Sequence, residues 1–432
     1  MRDRYGYEVT TSSARAVEHL DEAVRLSTSL RAGAVDAYKA CIAEDPDLAL
    51  AHAGIAFGLY VGGLEAAAKQ SIETAVRLGT ASTRRERQHI QAMATVIDGQ
   101  YARAADLGRE HLAEFPKDTR MSGVTNFSIA FGGLPDRRGA VLAVLRSLFP
   151  VLEGEPAFES ALGFSCTENN LWDEGRQHAE RGFAADTGSL HGAHVVTHVH
   201  HEAGDVSGGI DFLSGFLDDS TRVAPYSGHL TWHLALFELA RGETERAVAI
   251  FEQYLRPAVY PGAPRASLMD ASSFLWRLNL YGAPLPEGAA DEVRGLASEH
   301  FPESTTSFAD VHVALALGSC GEPEAVDRWA ARLRSRLDAG EVPAGDVLPI
   351  LAEAVAAYAR GQFDACADLL DARTEDFARV GGSRAQFEVF ADTLIGACIR
   401  SGRHQRAREL LDERLRRRPS RLDEQLLAAA MG

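Results

Sequence analysis

The chain has almost none of the runs rich in valine, isoleucine and threonine that build strands, which leaves helix as its structural unit. It has no Cys-x-x-Cys pair: Cys41, Cys166, Cys320, Cys366 and Cys398 stand far apart. That spacing excludes a disulfide framework and a thiolate zinc site, and fits buried thiols in a reducing compartment. No uninterrupted run approaches the ~18 apolar residues of a membrane span. The opening Met1-Arg2-Asp3-Arg4-Tyr5-Gly6 lacks the apolar core of a signal peptide. A soluble, cytoplasmic protein is therefore expected, with no membrane partner.

Positive charge is also in short supply. Against 61 acidic residues stand 44 basic ones, a net charge of −17, so nonspecific nucleic-acid binding is not expected. The one dense basic run, Arg414-Leu415-Arg416-Arg417-Arg418, reads as the solvated end of a terminal helix. There is no Gly-x-Ser-x-Gly elbow, dinucleotide fingerprint or kinase set, and Gly381-Gly382-Ser383 lacks the lysine pattern of a phosphate cradle. Ser383 reads instead as a helix cap, as does Thr83 with Glu86.

What the sequence does contain is alanine, leucine and arginine in helical proportion, punctuated by glycine. Gly99, Gly204, Gly242, Gly361 and Gly402 each follow a helical stretch and can take the left-handed conformation that ends it. Their spacing implies two helices per unit in a solenoid, where each repeat contacts only its neighbours and a long chain needs no single core. Fragments of the tetratricopeptide signature recur, an alanine with a bulky residue four later and a proline twelve later. Ala34-Tyr38-Pro46 and Ala407-Leu411-Pro419 fit fully. Ala104 and Pro116 fit around a misplaced Gly108, and Ala247-Phe251 fits with Pro257 early. Helix pairs are expected at roughly 12–45, 47–78, 83–115, 118–149, 156–185, 189–218, 226–255, 265–300, 305–338, 345–378 and 383–417, with a cap helix near 421–430. The predicted architecture is all-α: a right-handed α-solenoid of about eleven tetratricopeptide-like helix pairs. It forms one superhelix over 1–432, with a concave pocket centred on 190–235.

Seven of the fifteen histidines fall between His191 and His233, where an even spread would place about 1.5. His194 and His198, and again His229 and His233, are four apart and share a helix face; Glu202 continues the first stripe. The repeat period sets the two pairs on neighbouring first helices, facing one cavity. A packing role, with rings bonded to backbone or to each other, is the plain alternative. A site of His194, His198, His229, His233 and Glu202 suits metal-free acid–base chemistry, with a divalent ion such as zinc on three of them as the alternative. The sequence is not His-Glu-x-x-His, so the zinc-peptidase arrangement is absent. Trp232 and Trp276 read as core or as walls for a ligand. His89, one turn inside its helix, is a further candidate for the inner surface.

Six ordered blocks carry a resemblance. They are Thr83-Arg84-Arg85-Glu86-Arg87-Gln88-His89, His194-Val195-Val196-Thr197-His198-Val199-His200, His229-Leu230-Thr231-Trp232-His233, Ser273-Phe274-Leu275-Trp276-Arg277-Leu278, Asp310-Val311-His312 and Gly381-Gly382-Ser383-Arg384-Ala385-Gln386. Together they resemble the tetratricopeptide repeat protein 38 family over nearly the whole chain. His201 stands where the family pattern has glutamate, with Glu202 one later, and Phe387 stands where it tends to have arginine. The resemblance implies a tetratricopeptide-like fold and adds Arg277, Asp310 and His312 to the same surface. Arg277 would hold an anionic substrate group, Asp310 would orient or act as base, and His312 and Gln386 would contact substrate. The leading expectation is thus a small-molecule enzyme of non-redox acid–base type, performing a hydrolysis, isomerisation, elimination or cyclisation. A non-catalytic scaffold binding a partner peptide or protein in its groove is the alternative.

Overall fold

The computed structural model describes residues 1–219, 221–303 and 306–430. Among the described residues, eleven helix pairs run from Ala14–Thr28 with Ala34–Glu44 to Arg384–Arg400 with His404–Arg417, and the short helix Arg421–Ala429 follows. The architecture is an all-α, tetratricopeptide-like solenoid. Helices begin and stop where the local chemistry requires. Thr83 and Glu86 form a reciprocal capping box, and Asp118, Asp136 and Asp205 each cap a helix through the side chain. The five predicted helix-ending glycines all have positive φ, between 68° and 83°.

The chain divides into two compact units, 1–132 with 136–196, and 133–135 with 197–432; the division falls inside the Leu190–Ala203 helix. In the first unit, consecutive pairs stack through small residues: Ala51, Ala53, Ala56 and Ala104 have no exposed surface. Gly54 faces the Tyr38 ring, which lies 2.3 Å from where a Cβ would project, so only glycine fits beneath the ring.

The second unit has a distinct cross-section. First helices are buried on nearly every side: Ser227–Ala240 buries each residue from Ser227 to Leu239, and Ser307–Ser319 all but one of its thirteen. Second helices bury one stripe, as His404–Arg417 does with Ala407, Leu411 and Arg414. Pro264–Leu280, Ser307–Ser319, Val347–Ala359 and Arg384–Arg400 contact in sequence, and the last also contacts the first. The four inner helices therefore form a closed ring. Trp276 sits inside it, fully buried, donating to Thr393 Oγ1 at 2.9 Å and meeting the Tyr358 ring edge-on at 5.5 Å.

Two irregular repeats explain themselves. Early Pro257 follows a second helix that ends in a π turn, Phe251–Leu255. At Gly108, where the repeat pattern expects bulk, a Cβ would lie 2.2 Å from Thr125 Oγ1 on the next helix. Gly108→Leu is accordingly expected to destabilise by about 1–3 kcal/mol through overpacking, read as a lower urea midpoint at unchanged slope. Thr125→Ala in the same background should restore part of the loss.

Candidate functional site

The second unit brings together histidines from two inner helices. His198, on Leu190–Ala203, meets His233, on Ser227–Ala240, with ring centroids 4.7 Å apart and planes at 76°. His233 also meets His229 edge-to-face at 4.9 Å, and Trp232 stacks on His229 at 5.2 Å. His201 approaches His233 at 6.4 Å. The exposure of His198 is 0% and that of His233 1%, so the rings fill one another's space and line no open cleft. Burial drives the His198 pKa down to about 3, with His229 and Arg384 pushing the same way. The His201 ring is held well below its ordinary range by burial and then by Arg418.

The carboxylate bonded to His229 is Asp270, which the sequence reading missed. His229 Nδ1 lies 2.8 Å from Asp270 Oδ1, and the Tyr260 hydroxyl donates to Asp270 Oδ2 at 2.6 Å. Asp310 is buried, and its backbone carbonyl accepts from Trp329 Nε1 at 2.9 Å. His312 donates from Nδ1 to the Phe308 carbonyl at 2.6 Å, and burial takes its pKa down to about 4. Trp232 donates to Ser273 Oγ at 3.1 Å. Gln386 turns back to accept from the Ser383 backbone N–H at 2.9 Å, closing the helix start.

Below the rings lies a buried ionic chain. Arg277 donates to Asp392 Oδ2 at 3.0 Å and to the Ala385 carbonyl at 2.9 Å. Asp392 also accepts from Arg414, which pairs with Asp423 on the terminal helix. Beside it, Arg417 and Arg418 both reach Glu388, and Arg418 bonds His201. Glu202 accepts from Arg384 at 2.9 Å and is thereby engaged in an internal ion pair. Arg277, expected to face an anionic substrate, has its charge met by Asp392.

In the first unit, the His194 ring stacks on Phe164 at 5.8 Å. His191 is also enclosed there, and burial takes its pKa down to about 4. His89 belongs to a different cluster. Asp118 Oδ2 accepts from Arg85 Nε at 3.0 Å, lies 3.2 Å from His89 Nδ1 and 3.2 Å from His111 Nε2, while Oδ1 caps the next helix through the Met121 N–H. His111 and Asp118 escaped the sequence reading because neither lies in the histidine-rich stretch. Their seven-residue separation across a helix end was the one local signal.

No known protein-family model matches the chain. Among solved structures it is similar to the human IFIT1 dimer with m7Gppp-AAAA, at 11% identity over 96% of this chain and 97% of that one, with a TM-score of 0.38. It is similar to Naa15/Naa10 bound to HypK-THB, at 14% identity over 92% of this chain and 62% of that one, TM-score 0.27. A third is the TPR domain of P58(IPK), at 13% identity over 93% of this chain and 99% of that one, TM-score 0.20. Two expectations are corrected. The small-molecule enzyme gives way because rings assigned to acid–base work, His198 and His233, are buried against each other. The ranking of partners that put a small-molecule substrate first falls with it. No described helix is long and apolar enough to cross a membrane.

Two outcomes follow from burial and pairing. His191, His198 and His312 stay neutral when folded but take up protons near the ordinary pH of about 6.5 when unfolded. The unfolded chain then binds more protons below that pH, so their stabilisation is complete above it and lost on acidification towards about 4. Urea titrations between about pH 7 and 5 should show stability falling by up to about 1.4 kcal/mol per pH unit per ring, and His312→Phe should flatten the slope. Asp392→Asn leaves Arg277 and Arg414 short of a buried counter-charge and should cost about 3–5 kcal/mol, measured by thermal or urea unfolding.

Proposed function

We propose that this chain is a non-catalytic, tetratricopeptide-like scaffold that binds a neutral or basic protein or peptide partner. The closed ring of inner helices in the second unit carries this reading. Arg277 and Asp392 are paired across that ring, and on neighbouring helices His198 and His233 are buried against each other. What remains accessible is the polar side of the second helices, laced with ion pairs such as Arg256–Glu292 and Arg406–Asp371. A surface of this kind suits recognition by charge and shape, and the net charge of −17 favours a partner that is not itself acidic. The six ordered sequence blocks support kinship with the tetratricopeptide repeat protein 38 family. The cysteines, none in a disulfide and four of the five buried, support a reducing compartment such as the cytoplasm.

The test is affinity capture from the native source with mass spectrometry, followed by direct titration of the purified partner. Binding should survive His198→Ala in a folded variant and weaken as salt rises. Salt-independent binding that is lost with His198, or consumption of a metabolite by the purified protein that is lost in the same variant, would refute the scaffold reading.

A further inference from the structure

The first unit contains a second cluster of histidine and carboxylate, of which the fold uses only Asp118 Oδ1, as a helix cap, and the proposed function uses nothing. We infer that His89, His111 and Asp118 form a divalent transition-metal site of zinc type. Its ligands would be His89 Nδ1, His111 Nε2 and Asp118 Oδ2.

The three residues come from consecutive elements: His89 from Arg84–Ile97, His111 from Tyr101–Glu114, and Asp118 from the cap of Thr119–Phe131. Exposure is 5%, 0% and 3% respectively, and one ligand atom of each lies within 4.8 Å of the other two. Zinc bonds to nitrogen and oxygen are about 2.0–2.1 Å, which sets neighbouring ligand atoms of a tetrahedral site about 3.3 Å apart. Both histidine nitrogens lie 3.2 Å from Asp118 Oδ2, close to that edge length.

The oxygen itself is oversubscribed. Arg85, His89 and His111 all converge on Asp118 Oδ2, one more group than its two lone pairs can serve well. An ion at the centre replaces two long, competing hydrogen bonds with coordination bonds and leaves one lone pair to Arg85. Arg85 keeps a second partner in Asp3, whose Oδ2 lies 2.6 Å from its guanidinium. His89, Asp118 and Arg85 line a cavity together with Asp3, Asp21 and Arg120. Three carboxylates there face two guanidinium groups, so with neutral histidines the cavity carries one excess negative charge. His89 and Asp118 both line that cavity, which can supply a fourth ligand as water or a ligand carboxylate. Coordination needs the lone pair of the nitrogen that now faces Asp118 Oδ2, so each ring carries its hydrogen on the other nitrogen once the ion is bound.

The rival account is a metal-free hydrogen-bond hub around Asp118, and metal uptake by the intact protein decides between them. After stripping with chelator and dialysis against zinc, elemental analysis should find one equivalent of zinc attributable to this site. Cobalt substitution should give the visible bands of a four-coordinate ion. His89→Gln and His111→Gln should each weaken uptake at least tenfold while circular dichroism shows the helices intact. Arg85→Met should tighten it by removing the competing cation, an outcome that stays readable if a histidine variant does not fold. His233→Gln, in the other histidine cluster, should leave it unchanged. The assignment is overturned if the stripped protein takes up no zinc, if His89→Gln and His111→Gln both retain the wild-type equivalent, or if His233→Gln alone abolishes it.

Discussion

The second unit depends on one carboxylate. Asp392 sits between Arg277 and Arg414, and Arg414 continues to Asp423, so one ionic chain ties Pro264–Leu280, His404–Arg417 and Arg421–Ala429 to Arg384–Arg400. Removing such charges from water costs several kcal/mol per ion, which their attraction offsets only where geometry is good and remaining donors are satisfied. Here the alternation of sign supplies the attraction: Arg277 and Arg414 each meet Asp392, and Arg277 also donates to a backbone carbonyl. The terminal helix shows the consequence. Its apolar residues are only half-buried, whereas Asp423 is 3% exposed. Its docking is therefore specified by charge more than by hydrophobic area.

The same low-dielectric interior decides what the histidines can do. An imidazole without a carboxylate or solvent cannot hold a proton there, because burial penalises the charged form. Burial keeps His198 and His312 neutral through the physiological range. Neutral rings pack edge-to-face much as aromatic residues do, which is how a polar residue comes to occupy the interior of a helix buried all round. Density of histidine in a sequence thus signals a ring cluster. Chemistry at such a cluster further requires access, and His198 and His233 are buried against each other.

Much of the fold was legible in the residues. Helix-ending glycines, capping boxes and the alanine–bulk–proline spacing each act within a few residues, and the eleven pairs fall close to where those signals put them. The meeting of His198 with His233 was legible too, since it requires only the repeat period. The partners of these groups were not. Asp270 lies 41 residues from His229, and Asp392 lies 115 from Arg277. Both contacts depend on how inner helices meet across repeats, and nothing periodic marks them. The burial of His198 and His233 was not legible for a related reason. Whether a solenoid's inner helices line a groove or close on each other depends on the small curvature added at every repeat, accumulated over four units.

Placement of carboxylates separates the two histidine clusters and explains why similar residues acquire different uses. Around His198 and His233 the nearby acids are already engaged: Glu202 is held by Arg384, and Glu388 by Arg417 and Arg418. There two carboxylates meet three guanidinium groups, so these side chains leave no net negative charge beside the packed rings. Around His89 and His111 the balance runs the other way, with one oxygen of Asp118 drawing three donors while Asp3 and Asp21 add further negative charge at the same cavity. Charge that is matched inside the protein rigidifies it. Charge left in excess at a cavity favours something from solution, and the first unit is where this chain retains that excess.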